Sequence, residues 1–351
     1  MLSVGDYVVR ISYGSDILFR ITYITPNQIA RIKGVSYRVV ADAPISDLEL
    51  SMGMRYTKDE NNIMTTIEKN IEKIKKQKSE YKDIGEPRFR KTGKVLHIDG
   101  DAFYLNLCLK YYEMLEIPAI GEHISESEQP KRIKHLIEKY SPDILVLTGH
   151  DALSKNHKSI YEINEYKNSQ YFVESVKRAR AVKASMSELV IFAGACQSYF
   201  EEILAAGADF AASPDRVLIH ALDPVFLVQK IADCAFNQVL PIEEALENTI
   251  TKFRGLGGYE ILGKCRRGGP VVSNRIIENN KRAPGKKYNS NSEVNAINSE
   301  KGSATATGKE PLSNEEKLKE FHKELAKPIF TDTKKDFETK LRKYMNRSPK
   351  R

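Results

Sequence analysis

The chain has 351 residues, 41% hydrophobic and 29% charged, with a formal net charge of +8. That length is enough for two domains with a sizeable core in at least one, and no apolar run approaches the roughly 20 residues that a membrane-spanning helix needs. The charge excess is confined to one end: residues 281–351 hold 18 Lys or Arg against 10 Asp or Glu, while residues 1–280 hold 37 of each.

Residues 1–52 are rich in Val, Ile, Tyr and Phe, broken by Gly5-Asp6, Gly14-Ser15-Asp16, Pro26-Asn27 and Lys33-Gly34. Short β-prone runs between such turn residues predict a small antiparallel barrel, broadly SH3-like. A charged linker, 53–92, follows, in which Ile63, Ile67, Ile71 and Ile74 recur at helical spacing as a packing stripe. From 93 to 275 the pattern is strand 95–98, helix 102–115, strand 118–124, helix 130–140, strand 143–148 and helix 171–184. It continues as strand 189–193, helix 197–206, strands 208–212 and 216–219, and helix 224–233. Apolar strands alternating with amphipathic helices predict an α/β domain with a mostly parallel sheet and helices on both faces. Residues 276–351 predict a low-complexity linker (283–313) and a charged, partly helical basic tail (315–344). Such a tail binds acidic surfaces weakly and is read as a disordered, solvated extension rather than a nucleic-acid arm. The N-terminus has no charged start, apolar middle or cleavage site, so an intracellular, cytoplasmic protein is expected.

Four cysteines, Cys108, Cys196, Cys234 and Cys265, are scattered without a C-x-x-C pair, which predicts free thiols and no zinc site. Cys108 and Cys234 fall on predicted helices as small hydrophobes. Cys196 differs, because the run 189–193 leads through Gly194 and Ala195 into it, as the run 143–148 leads through Gly149 into His150 and Asp151. In a parallel sheet, ligands bind beyond the carboxyl ends of the strands, and both residues fall there. A thiol becomes a nucleophile as the thiolate, which a strand-to-helix turn and a nearby imidazole both favour. Cys196 is therefore the candidate nucleophile and His150 the general base and acid. Gly149, Asp151, Gly194 and Ala195 form the turns whose backbone N–H groups would face an oxyanion.

The blocks IDGD at 98–101, LTGHD at 147–151, FAGACQS at 192–198 and IHALDPVF at 219–226, with the opening VGDYVVR, SYG and DILF, resemble the YabG family of sporulation peptidases. The similarity covers about residues 1–270. It implies an endopeptidase of the sporulating mother cell that processes spore-coat and related sporulation proteins. The strand-His and strand-Ala-Cys pattern is also similar to caspase-like peptidases of clan CD. His150 precedes Cys196 by 46 residues, close to the roughly 50 found in caspases. That clan has Gly directly after its His, whereas Asp151 stands here with Gly149 before. The likeness also implies that the loop after the first strand lines the primary specificity pocket, which assigns Asp99 and Asp101 to pairing a basic substrate side chain. Capping of the helix at 102 is the equal alternative for these acids, and Asp223 is a further candidate for the pocket. No metal or organic cofactor is implied, and the partners are protein substrates.

A preference for basic residues would expose Arg254, Arg266-Arg267 and Lys286-Lys287 to self-cleavage. Two other readings compete. A glutaminase-type amidotransferase shares Gly-Ala-Cys-Gln-Ser but needs a histidine downstream of the cysteine, for which His220 is the candidate. A non-catalytic coat-assembly scaffold would bind through the barrel and the tail.

Overall fold

The computed structural model describes residues 2–51, 58–82, 89–185 and 187–268. The expected linker and tail segments at 283–313 and 315–344, and Lys286-Lys287, lie outside them.

The first 50 residues build five short strands: β1 (Tyr7–Arg10), β2 (Phe19–Ile24), β3 (Ile29–Gly34), β4 (Val40–Pro44) and β5 (Leu48–Leu50). They form one antiparallel sheet in the order β4-β3-β2-β1-β5. Alternation puts Val8, Phe19, Ile21, Ala30, Ile32, Ala43 and Leu48 into a common apolar cluster. The isoleucine stripe gives α1 (Lys58–Lys82), on which Met64, Ile67 and Ile74 are buried. Its polar flank reaches the later chain through Asn70, which donates to Asn248 O at 3.0 Å.

The rest is α/β. After β6 (Phe89–Lys91) come β7 (Val95–Asp99), α2 (Ala102–Met114), β8 (Ala119–His123), α3 (Gln129–Tyr140), β9 (Ile144–Thr148), α4 (Ser169–Val182), β10 (Val190–Ala193), α5 (Phe200–Ala205), β11 (Phe210–Ala212) and α6 (Asp223–Asp233). The chain ends its described part with β12 (Val239–Leu240), α7 (Ile242–Ala245), α8 (Lys252–Gly255), β13 (Leu256–Gly258), β14 (Ile261–Leu262) and β15 (Arg266–Gly268). Six strands share one sheet in the order β13-β11-β10-β9-β7-β8. All neighbours are parallel except the edge pair β11 and β13.

Every residue of β7, β9 and β10 is buried, as strands covered on both faces require. Leu96, Ile98, Leu145, Leu147, Ile191 and Ala193 pack on one side against Ile133 and Leu136 of α3, Phe172 and Val176 of α4 and Ile203 of α5. On the other side α2 meets the sheet through Tyr112, whose hydroxyl lies 3.2 Å from His97 Nδ1.

Two expected elements differ. The helix predicted from 197 begins only at Phe200, because Gln197 takes a left-handed φ of 58° and Ser198 is used in the preceding turn. The run 216–219 is no sheet strand; the position beside β11 is taken by β13, and His220 instead makes an isolated antiparallel bridge to Tyr37. Among the described residues, no helix is long and apolar enough to cross a membrane.

Candidate active site

From β7 the chain moves outward to β8, then returns to build β9, β10 and β11 on the opposite side. The carboxyl ends of β7 and β9 therefore flank a topological switch point, where an open α/β sheet leaves its ligand crevice. Asp99 ends β7, Thr148 ends β9, and His150 follows two residues later. The register of β9 and β10 pairs Ala193 with Leu147. Cys196 and His150 each follow three residues after this last pair, in the loops that leave adjacent strands.

His150 is held from several sides. Its backbone N–H donates to Glu126 Oε1 at 2.6 Å, and its carbonyl accepts from Asn168 Nδ2 at 2.7 Å. A Cβ at Gly149 would stand 2.3 Å from the same Glu126 oxygen, so a larger residue there would push that carboxylate off the His150 amide. The ring Nε2 lies 2.8 Å from Asp101 Oδ2. A carboxylate only accepts, so Nε2 carries the hydrogen and Nδ1 keeps the lone pair that a base needs. Asp101 Oδ2 also receives Lys33 Nζ at 2.6 Å, and Oδ1 caps α2 by accepting from Phe103 N at 2.9 Å. Burial opposes ionisation of Asp101, yet hydrogen bonds from His150 and Lys33 outweigh it and hold the carboxyl well below its ordinary range.

The turn at Cys196 begins at Gly194, whose φ of +112° is a conformation that side chains disfavour. Ala195 N donates to Ser198 Oγ at 2.8 Å, and Ser198 Oγ donates to Asp151 Oδ2 at 2.9 Å. Asp151 also accepts from Asn168 N, Ala152 N and Ser169 Oγ, so one buried carboxylate ties the histidine loop, the start of α4 and the cysteine turn together. Burial raises its pKa against those three donors and the Ser198 hydroxyl. Among the described residues, no other residue accepts from the amides of Cys196 and Asp151.

Cys196 is only 2% exposed, and its sulfur receives the Ile219 N–H at 3.2 Å. Burial pushes its pKa up to about 12, against the lowering effect of the Ile219 amide and Arg38. The expected helix N-terminus gives little help, since α5 starts four residues later and is six residues long, under two turns. Tyr104 packs edge-on to His150 at 5.8 Å between centroids and is close enough to Cys196 for a thiolate there to raise its own pKa further, beyond the effects of burial and Asp101.

The acids assigned to a specificity pocket separate by environment. Asp99 is fully buried and accepts from Arg38 Nη1 at 2.7 Å, Thr148 Oγ1 at 2.9 Å and Asp101 N at 2.9 Å. Thr148 in turn lies 2.7 Å from His97 Nε2, which fixes a chain of donors from Tyr112 through His97 and Thr148 to Asp99. Asp223 is also buried, and accepts from His220 N, Ile250 N, Thr251 N and Thr251 Oγ1. That set fills its carboxylate at the start of α6. His220 accepts Leu222 N on Nδ1 at 3.1 Å, so Nε2 bears the hydrogen. Burial, with Arg38 adding, pushes its pKa down to about 3. The ring has no lone pair left for a substrate proton.

The match to known proteins follows this geometry. The family model described as YabG peptidase U57 matches residues 3–270. The chain belongs to the YabG peptidase family. A curated relative, the sporulation-specific protease YabG of Bacillus subtilis (strain 168), is 44% identical over 286 residues, covering 77% of this chain and 99% of the relative. The YabG match therefore spans the N-terminal sheet as well as the α/β part, so Lys33 and Arg38 belong to the same peptidase unit as His150 and Cys196. Neither cation was legible as a site residue. Each stands in a β-prone run far from the strand tips, and the signal that would have exposed them is a pairing across 61 and 68 residues. Tyr104 and Ser198 were hidden in a helix and a turn of ordinary composition.

Proposed function

We propose that this YabG-family peptidase is a cysteine endopeptidase of the sporulating mother cell. In this reading it cleaves spore-coat and related sporulation proteins after basic residues, on a caspase-like domain at 93–275 preceded by an SH3-like barrel at 1–52 and a linker at 53–92. What supports it is that Cys196 and His150 each follow by three residues the last paired residues of the neighbouring strands β10 and β9, Ala193 and Leu147, with Asp101 engaging Nε2 of the imidazole.

In the proposed reaction His150 Nδ1 takes the thiol proton and the Cys196 sulfur adds to the scissile carbonyl. The amides of Cys196 and Asp151 donate to the developing oxyanion, which the position of Asp151 after the histidine allows in place of glycine. The imidazolium returns its proton to the leaving amine, giving an acyl-enzyme and a new N-terminus. Water, deprotonated by His150, then releases the carboxyl product and restores the thiol. Asp101 is a positioning residue, fixing the tautomer and stabilising the imidazolium as the acid of a triad does. Asp99 supplies the negative charge for a basic side chain. Arg254, which is largely exposed, is one of the expected self-cleavage sites.

The test incubates the purified protein with Arg- and Lys-ended fluorogenic peptides, with and without iodoacetamide. Cleavage after the basic residue that iodoacetamide and Cys196→Ala both abolish is expected. Cleavage indifferent to both would overturn the proposal. Loss of activity in His220→Ala but not in His150→Ala would turn the assignment toward the amidotransferase arrangement.

A further inference from the structure

Arg38 is among the largest fully buried side chains of the described residues, and it comes from the loop between β3 and β4 rather than from the α/β part that supplies its partners. Its guanidinium donates to Asp99 at 2.7 Å, approaches Cys108 Sγ at 3.6 Å and lies over the Tyr104 ring at 5.0 Å. Its Nε is buried with no acceptor among the described residues. A pair kept only for stability is a poor use of a buried cation, since desolvation cancels most of the attraction, and the open Nε adds to that cost.

The backbone beside it has a matching oddity. Arg38 N donates to Ile219 O at 3.3 Å, and Ala221 N donates to Ser36 O at 2.8 Å, around the bridge between Tyr37 and His220. These bonds extend one short antiparallel ladder along residues 219–221, the way an extended peptide adds to a strand edge. Ile219 is also the residue whose amide contacts the Cys196 sulfur. A segment paired there runs past the nucleophile with one side chain directed into the acid-lined pocket. The loop is held in place by the Tyr104 hydroxyl, 2.7 Å from Gly34 O and 2.8 Å from Tyr37 O.

We propose that Ser36-Tyr37-Arg38 is a tethered ligand of this enzyme's own substrate groove, seated in substrate register with Arg38 in the pocket for the basic residue before the scissile bond. This rests on the cysteine-peptidase reading and deepens it in two respects. The pocket selects arginine in an extended segment that pairs its backbone with residues 219–221. The described conformation is the occupied one, in which the sulfur is covered, and protein substrates enter by displacing the loop.

The test uses the full-length protein and two readouts, site-mapped alkylation of Cys196 by iodoacetamide and cleavage of an Arg-ended fluorogenic peptide. Arg38→Met keeps the bulk of the side chain and removes its charge. It is expected to raise both rates roughly tenfold or more, because the accessible fraction limits them in the parent. Faster alkylation without peptide cleavage keeps the tethered ligand and sinks the peptidase reading. Parent-like alkylation and cleavage in a folded Arg38→Met protein sinks the tethered ligand and leaves the peptidase. Should that variant not fold, Tyr37→Cys combined with His220→Cys decides the matter, since facing residues of a non-hydrogen-bonded antiparallel pair sit close enough for a disulfide. Oxidised with diamide, this protein is expected to lose cleavage and Cys196 alkylation, and a thiol reductant to restore both, with the parent carried through the same cycle. Equal activity of the bridged and reduced forms would overturn the proposal.

Discussion

Asp101 divides one carboxylate among three partners, capping α2 through Oδ1 while Oδ2 takes both His150 and Lys33. Asp101→Asn keeps a capping oxygen but offers no second carboxylate oxygen to the imidazole, so kcat is expected to fall about 100-fold, and the melting temperature at neutral pH is expected to fall as well, because Lys33 loses its ionised partner. Peptide kinetics beside a thermal melt read the two effects separately. The same residue carries a pH dependence. Its folded pKa lies below the unfolded value of about 3.9, so its stabilising contribution is present above about pH 4 and disappears as the pH falls through the folded value. Denaturant unfolding between neutral and acid pH should therefore show a shallower acid loss in Asp101→Asn than in the parent. How much of this was legible divides along chemistry. Cys196 and His150 announce themselves by following apolar runs, whereas Asp101 reads equally as a cap, and it is both. Nothing local distinguishes Asp99, which pairs with Arg38, from an ordinary pocket acid.

At the scale of elements, the turns matter more than the strands they end. Ser198 joins Ala195 N to Asp151 in a buried network, so Ser198→Ala leaves an amide and a carboxylate short of partners and is expected to cost about 1–3 kcal/mol. Leu147→Ala, in the fully buried β9, is expected to cost more, about 2–5 kcal/mol. Activity should rank the other way. The folded fraction of Leu147→Ala keeps its kcat, while Ser198→Ala loses it because the cysteine and histidine loops are no longer tied together. Denaturant melts paired with active-site titration check the crossing. The parallel strands and their helices were readable because burial on both faces leaves uninterrupted apolar runs. The late start of α5 was not, since Gln197 and Ser198 carry no helix-breaking signal and their turn is set by bonds to Asp151 and Ser213. The edge strand β13 is three residues long with two glycines, too short and too small to register as a strand.

For the molecule as a whole, the family match from 3 to 270 makes the N-terminal sheet part of the peptidase. Removing residues 1–51 would strip Asp99 of Arg38 and Asp101 of Lys33, and an unpaired buried carboxylate costs about 3–5 kcal/mol. That truncation is expected to be unfolded by circular dichroism. A chain ending at residue 270 is expected to keep kcat/KM within about twofold. The partition of charge between the body and the last 71 residues was plain from composition, but the insertion of the N-terminal loop into the α/β domain was not, because it depends on a contact between residues far apart in sequence. The most direct measurement of the central claim is prolonged incubation with a peptidyl-arginyl chloromethyl ketone, followed by mass mapping of all four cysteines. The account predicts one adduct, on Cys196, formed by the parent and lost in a folded His150→Ala protein. An adduct on another cysteine instead, or undiminished labelling of Cys196 without His150, would contradict it.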